Sequence, residues 1–98
     1  MRVRFVDDGL DRLETDPRYG AGHPAAVVKS FRKRMQQIRA APDERTFYSL
    51  KSLHFEKLKG ARKHQHSMRL NDQWRLVVQV EGKAPDKILV IVAIEDYH

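Results

Sequence analysis

The sequence contains no cysteine, and long apolar runs are also missing. Without cysteine the chain cannot have a disulfide scaffold, a thiol nucleophile or a metal site with cysteine ligands. The longest strongly apolar segment, residues 88–94, has seven residues, and a membrane span needs about 20. The first residues hold no extended apolar region, so we expect no secretory signal and a cytoplasmic protein that does not act on a membrane. With 98 residues, the chain has room for one core, and we expect a single domain over residues 1–98.

Sequence motifs for nucleotide binding and for standard hydrolases are absent as well. The chain has no G-x-x-x-x-G-K-[ST], no G-x-G-x-x-G and no G-x-S-x-G, so nucleoside triphosphatases, dinucleotide enzymes and serine hydrolases have no support. His64 and His66 are two residues apart, but no third ligand is fixed nearby. We therefore expect no metal site and no cofactor.

Positive charge is present in excess and is unevenly distributed. The chain has 19 Lys and Arg against 13 Asp and Glu, for a net charge of +6. Residues 29–39 hold five basic and no acidic side chains, and residues 51–75 hold seven basic against two acidic. Two basic blocks favour a polyanionic partner such as RNA or DNA. The first block is interpreted as a helix face in water rather than as a binding surface.

The first half of the chain predicts one strand and two helices. Residues 2–6 alternate charged and apolar side chains, which is typical of a half-exposed strand. Asp7 or Asp8 can cap a short helix that Pro17 prevents from continuing. A longer helix after Pro24 has one apolar stripe, formed by Val27, Val28, Phe31, Met35 and Ile38. A short further helical turn is possible at Phe47, Leu50 and Leu53, and residues 54–60 are expected to connect it to a sheet.

The second half predicts three antiparallel strands. Apolar residues alternate from His66 to Leu70 and again from Trp74 to Val80, with a turn at residues 71–72. Residues 88–94 are apolar throughout, as in an inner strand buried on both faces. The fold class is therefore α+β: an N-terminal strand, two helices and a three-stranded antiparallel segment that completes a twisted sheet with helices on one face. The first and last strands are expected to be parallel neighbours.

The hairpin places two cations opposite each other. A turn centred on Asp72 pairs Leu70 with Trp74 and Arg69 with Arg75, with both arginines on the face away from the core. Like charges directly opposite are destabilising by up to about 1 kcal/mol. An anion such as phosphate would offset that cost. The alternative is that an arginine pairs with an acid such as Glu95 or Asp96.

Residues suited to ribonuclease chemistry lie around this hairpin. His54 precedes it, and Asp96, Tyr97 and His98 end the sequence. Cleavage by a ribose 2′-OH needs a base, an acid and cations for the phosphorane, and histidine can fill either proton-transfer role. Further candidates to bind RNA lie in the same half of the chain: Lys57, Lys59, Arg62, Lys63 and His66.

Residues 50–98 resemble the HigB-type toxins of the RelE/ParE superfamily. The resemblance is carried by Leu53-His54, by Lys57-Leu-Lys-Gly60, by the segment S-M-R-L-N-D-Q-W-R of residues 67–75 and by the closing Asp96-Tyr-His98. It implies a small RelE-like domain that acts as the toxin of a type II toxin–antitoxin system. It also implies a ribosome-dependent endonuclease that cuts messenger RNA by 2′-OH attack without a metal.

The same resemblance implies roles for individual residues and partners. His54 and His98 would be the acid–base candidates, with Asp96 and Tyr97 orienting the substrate or assisting proton transfer. Lys57 or Lys59, with Arg69 and Arg75, would bind the phosphate. The expected partners are a helix-turn-helix antitoxin of the HigA type, the 70S ribosome and messenger RNA, with operator DNA contacted only through the antitoxin complex.

Two other functions fit the same fold. One is a toxin that acts on DNA gyrase without catalysis, as in the ParE branch, although a pure binder does not need His54 or the terminal Asp-Tyr-His. The other is a nucleic-acid-binding corepressor, which would bind naked RNA with a steep salt dependence and cut nothing.

Overall fold

A computed structural model describes residues 1–97 and confirms the α+β architecture. The strands are β1 (Arg2–Phe5), β2 (Glu56–Lys57), β3 (His66–Arg69), β4 (Trp74–Glu81) and β5 (Ile88–Asp96). The helices are α1 (Asp8–Thr15), α2 (Ala25–Ala40) and α3 (Arg45–Ser49), with short 3₁₀ turns at Lys51–Leu53 and Gly60–Arg62. Within residues 1–97, no helix is long and apolar enough to cross a lipid bilayer.

The strands form one mixed sheet in the order β1-β5-β4-β3-β2. β1 is parallel to β5, with Arg2 opposite Ile88, and the other neighbouring pairs are antiparallel. The expected parallel pairing of the first and last strands is therefore confirmed. It is possible because the chain crosses over the sheet through the helices before it returns.

Local sequence signals fix the helix boundaries. Asp7 is the N-cap of α1, and its Oδ1 accepts a hydrogen bond of 2.8 Å from the backbone N–H of Leu10. That bond satisfies one of the amide groups that a helix start leaves unpaired. Pro24 is the N-cap of α2, where its missing N–H and fixed φ cost nothing.

The core lies between the helices and one face of the sheet. All five residues of the predicted α2 stripe are buried in it. The sheet contributes Met68, Leu70, Leu76, Val78, Leu89 and Ile91, which face the helices. Val77 and Val90 are also buried but lie outside this cluster, because they alternate onto the opposite face.

Two features differ from expectation in the segment between α2 and the hairpin. The predicted connection at residues 54–60 contains β2, which pairs Glu56 with Ser67 and Lys57 with His66 and makes a fifth strand. Two paired residues are too few to give a period-2 pattern. The predicted helical turn with Phe47, Leu50 and Leu53 at three-residue spacing is interrupted, because α3 ends at Ser49. Leu50 is 36% exposed as a result.

The expected solvated face of α2 holds for its lysines and for the exposed Arg39, but Arg32 and Arg34 are partly buried. Arg32 donates hydrogen bonds to the carbonyls of Leu13, Asp16 and Tyr19, at 3.0, 2.8 and 3.1 Å. Arg39 forms two hydrogen bonds of 2.7 Å with Glu14, and this carboxylate raises the pKa of Arg39. The two lysines of the block, Lys29 and Lys33, are exposed as expected.

Candidate functional site

The face of the sheet opposite the helices holds the two predicted arginines side by side. Arg69 at the end of β3 lies directly opposite Arg75 near the start of β4. The backbone N–H of Leu70 donates to the carbonyl of Trp74 at 2.9 Å, as the predicted register requires. The register is therefore confirmed, and it brings two cations to one place on the open face.

The turn between these strands is held by Asn71. Its Oδ1 accepts hydrogen bonds from the backbone N–H groups of Gln73 and Trp74, both at 2.9 Å. This use of an asparagine side chain to fix a turn is common, because the amide oxygen replaces a backbone acceptor. The consequence is a defined separation between the two arginines.

Arg75 is held by a carbonyl and an aromatic ring. Its Nη1 donates to the carbonyl of Asn71 at 2.8 Å, and its Cζ lies 4.5 Å from the ring centroid of Tyr97. Tyr97 is anchored by its backbone N–H, which donates to the carbonyl of Gln73 at 2.6 Å, and its side chain stays 53% exposed. Within residues 1–97, no carboxylate forms an ion pair with Arg75. The guanidinium therefore lies against an exposed aromatic ring.

Arg69 has a different environment. Its guanidinium forms an ion pair with Asp72 in the turn, so the alternative of an acidic partner is realised here, with an acid other than Glu95 or Asp96. Its backbone carbonyl accepts a hydrogen bond of 2.9 Å from Nε of Arg34 in α2. Helix and turn thus both hold Arg69.

Arg62 and Glu95 complete the group on this face. Arg62 comes from the 3₁₀ turn after β2, and its Nη2 lies 2.8 Å from Oε2 of Glu95, which is opposite Arg75 in the β4–β5 register. Because this ion pair joins the loop before β3 to β5, it spans the open face. We call Arg62, Arg69, Arg75, Glu95 and Tyr97 the open-face cluster.

Sequence reasoning named every member of this cluster except Glu95 as a site residue. Glu95 was considered only as a partner for Arg75. Residues 95 and 97 alternate onto one face at the end of β5, and that period-2 relationship could have placed Glu95 beside Tyr97.

His54 lies at the end of the 3₁₀ turn before β2. Its backbone has φ 47° and ψ 52°, a left-handed conformation that is uncommon outside glycine and asparagine, and its side chain is exposed. His54 lies two residues before Glu56, which pairs with Ser67 at this edge of the sheet. His98, the other histidine candidate, lies outside the described residues.

His66 and Lys57 are not brought to the open-face cluster. His66 alternates with Arg69 along β3, and its ring stacks on Phe55 with centroids 4.6 Å apart and 9° between the planes. Its Nε2 lies 3.0 Å from the hydroxyl of Tyr48. Burial lowers the pKa of His66, and the positive charge of Lys57, which pairs with His66 across β2 and β3, lowers it further. The carboxylate of Glu44 raises this pKa, but its effect is the smallest of the three.

The remaining predicted residues lie near the edges of the cluster. Asp96 is opposite Trp74, and its Oδ2 accepts a hydrogen bond of 3.0 Å from Nε2 of Gln73. Lys59 and Lys63 flank the 3₁₀ turn that carries Arg62 and are exposed.

The open-face cluster has the chemistry of an anion site with an aromatic wall. Adjacent guanidinium groups bind the oxygens of a phosphate through charge-assisted hydrogen bonds. An exposed tyrosine ring can stack on a nucleobase. Among residues 1–97, no group of three or more histidine, aspartate and glutamate side chains is arranged to hold a metal ion.

A groove of about 730 Å³ lies elsewhere, along α2 and the loop before it. Its walls include Arg18, Tyr19, His23, Lys29 and Lys33, and none of the predicted site residues within the described part of the chain lines it. The volume of a concavity does not identify a phosphodiester site, because a cleavage site needs groups that transfer protons and stabilise charge. The open-face cluster therefore remains the candidate site.

The fold is shared with a small bacterial toxin of known structure. The solved structure described as "YoeB/ParE toxin from Agrobacterium tumefaciens" aligns with a TM-score of 0.63 at 18% sequence identity, and the match covers 100% of both chains. At this identity the comparison establishes the RelE/ParE-type fold alone. Among curated proteins, no sequence match is found.

The family follows from a match to the sequence itself. The family model described as "RelE-like toxin of type II toxin-antitoxin system HigB" matches residues 3–98. The chain therefore belongs to the HigB-like toxin family, and the resemblance seen in its second half extends over nearly the whole sequence. As the toxin of a type II system, it has an antitoxin as its partner.

Proposed function

We propose that this toxin is an endoribonuclease that cuts messenger RNA on the 70S ribosome and so stops translation. The ribose 2′-oxygen forms a bond to the adjacent phosphorus while the bond from phosphorus to the 5′ oxygen breaks. A base takes the proton of the 2′-OH, and an acid gives a proton to the departing 5′ oxygen. The membership of the chain in a RelE-like toxin family supports this reaction.

The observation that carries the proposal is the arrangement of Arg69, Arg75 and Tyr97. Two guanidinium groups opposite each other can bind the oxygens of one phosphate and stabilise the charge that develops on the phosphorane. Arg75 has no acidic partner in the described part of the chain. The ring against Arg75 gives a base next to the scissile phosphate a surface on which to stack.

Proton transfer is assigned to His54 and His98, with Tyr97 assisting, whereas Asp96 alternates onto the face opposite Glu95 and Tyr97 and is given no role at the reacting centre. His54 supports this role by its exposure and by its place just before β2, which pairs with β3. Three flanking cations, Arg62, Lys59 and Lys63, would contact the RNA backbone on either side. Lys57 and His66 lie on the other face and contribute no group to the reacting centre in this proposal.

Cleavage in a translation extract tests the proposal. We expect the purified toxin to cut a 5′-labelled message only when ribosomes are present. The variant Arg75→Gln should reduce the rate by about 100-fold, since it removes a preorganised charge from the transition state. Lys83→Gln is the matched control, because Lys83 is an exposed cation in the turn at the far end of β4, and it should cut at the wild-type rate.

The combined variant Arg69→Gln/Arg75→Gln separates the candidates. Wild-type cleavage by this variant would overturn the assignment of the site. A gyrase supercoiling assay runs beside it, since the superfamily includes toxins of the ParE type. Inhibition of supercoiling without any RNA product would replace the nuclease proposal with that of a gyrase toxin.

The antitoxin is proposed to be a small helix-turn-helix protein of the HigA type. In the toxin–antitoxin complex, only the antitoxin would contact operator DNA. Pure toxin should then leave an operator fragment unshifted in a gel, and the toxin–antitoxin complex should shift it. A shift by the toxin alone, at physiological salt, would contradict this arrangement.

A further inference from the structure

We propose that Arg34, in the helix layer, is a positioning residue that fixes the main chain of Arg69 and adds positive charge behind the phosphate-binding side chains. The inference rests on the proposed function and deepens it, because neither the sequence motifs nor the family resemblance assigns a role to this residue.

The geometry connects α2 to the end of β3. Nε of Arg34 donates to the carbonyl of Arg69 at 2.9 Å, and Nη1 donates to Oε1 of Gln37 at 3.1 Å. Gln37 lies one helical turn further along α2, so the guanidinium is held at two points. Arg69 ends β3 and begins the turn, where a backbone shift would move its guanidinium relative to that of Arg75.

The charge of Arg34 distinguishes it from the other arginines of its helix. Arg39 is paired with Glu14, and Arg32 donates to carbonyls at and just after the end of α1, where the helix dipole is negative. Both hydrogen-bond partners of Arg34 are neutral. Burial lowers the pKa of Arg34, and the nearby charge of Arg69 lowers it further.

Arg34 adds a partly buried positive charge behind Arg69, whose own carboxylate partner, Asp72, lies in the exposed turn. The carbonyl of Arg69 could be satisfied by a neutral donor, so hydrogen bonding alone does not call for an arginine. A phosphate held by Arg69 and Arg75 would interact favourably with all three guanidinium groups. The structure thus favours two roles for Arg34: it positions Arg69, and its charge attracts the bound anion from behind the two arginines.

Two substitutions of Arg34 distinguish its positioning role from the effect of its charge, and a substitution of the neighbouring Lys33 serves as the control. Arg34→Lys keeps the charge and loses the fork-shaped donor, whereas Arg34→Gln loses the charge. Lys33→Gln removes an exposed charge from the adjacent position of the same helix. All three are measured in steady-state cleavage on programmed ribosomes, at a temperature well below the Tm recorded for each variant.

For Arg34→Gln we expect kcat to fall about tenfold, with a smaller change in KM, because misplacing Arg69 weakens contacts made mainly in the transition state. Arg34→Lys should recover part of the loss. Lys33→Gln should leave kcat unchanged. A purely structural role would lower the Tm of both Arg34 variants without this split between kcat and KM.

A second measurement does not depend on cleavage. Inorganic phosphate is titrated into the protein while the Nε–Hε signals of Arg69 and Arg75 are followed by NMR. Arg34→Gln should weaken phosphate binding several-fold, and Lys33→Gln should not.

If wild-type toxin cuts no RNA, the proposed function fails, and the phosphate titration still decides the role of Arg34. Unchanged kcat in a cleaving toxin, or unchanged phosphate affinity, in Arg34→Gln would overturn the inference.

Discussion

The guanidinium of Arg69 forms an ion pair with the carboxylate of Asp72, three residues along the chain in the hairpin turn. Asp72 is almost wholly exposed, with 94% of its side chain accessible, whereas Arg69 is largely covered. An exposed ion pair of this kind is worth only about 0–1 kcal/mol. In the proposed reaction a phosphate would therefore displace the carboxylate at little cost, and Asp72 would compete weakly with the RNA for Arg69.

Asp72→Asn should increase the affinity for RNA by about two- to fivefold, because it removes a pair worth up to about 1 kcal/mol and one unit of negative charge. The measurement is fluorescence anisotropy with an RNA that carries a 2′-deoxy group at the cleavage position, so that it binds without being cut. Asp86→Asn, in the exposed turn before β5, should leave the affinity nearly unchanged. Weaker binding by Asp72→Asn would show that the turn needs this pair to place Arg69.

Tyr97 should contribute to RNA binding through its ring. Tyr97→Ala should weaken binding by about 1–3 kcal/mol, the range for loss of one aromatic stacking partner. Tyr97→Phe keeps the ring and its contact with Arg75 and should bind as tightly as the wild type. In single-turnover cleavage, a slower rate with unchanged binding in Tyr97→Phe would assign proton transfer to the hydroxyl. Equal loss of affinity in both variants would argue against stacking.

His66 should make the stability of the protein depend on pH. Its pKa in the folded state is below the ordinary value of 6.5, so between those two values the unfolded chain binds more protons than the folded one. Stability is therefore greatest above pH 6.5 and falls as the pH is lowered through the folded-state pKa. Urea unfolding from pH 7.5 to 5.0 should show this loss.

Two variants isolate the contribution of that imidazole. His66→Gln should flatten the decline between pH 7 and 5, and His64→Gln, which changes an exposed histidine two residues away, should retain it. An unchanged pH profile in His66→Gln would assign the decline to the carboxylates. Cleavage by either variant should stay near the wild-type rate, since neither ring belongs to the open-face cluster.

Arg32 should matter for stability and little for the reaction. Its three hydrogen bonds join α2 to the end of α1 and the following loop. Arg32→Ala leaves partly buried carbonyls without donors and should lower the free energy of unfolding by about 2 kcal/mol. Chemical denaturation measures this loss, and cleavage assayed well below the Tm should be unaffected. A large fall in kcat for the folded variant would mean that this end of α2 takes part in function.

The pairing of Arg69 with Arg75 could be predicted from the sequence because period-2 alternation and a short turn leave one register that buries the apolar residues. The stripe of α2 and the cap at Asp7 are equally local signals. The parallel orientation of β1 and β5 could be predicted because a long connection through helices permits it, whereas their register could not.

Contacts made by single long side chains were beyond that reasoning. Nothing in the spacing of Arg34 indicates that it reaches the carbonyl of Arg69, because the contact depends on how α2 lies across the sheet. His66 was grouped with the RNA-binding residues, but the period-2 alternation of β3 places it on the face opposite Arg69. β2 was missed because an edge strand of two residues has almost no periodicity.

The parallel pairing of β1 with β5 has a consequence for when activity can arise. β5 inserts between the first strand and β4, so a nascent chain that has emerged only through β4 has a gap in the middle of its sheet. Arg69 and Arg75 are then present in a hairpin, but Glu95 and Tyr97 are not yet placed beside it. The open-face cluster can therefore assemble only once β5 has joined the sheet.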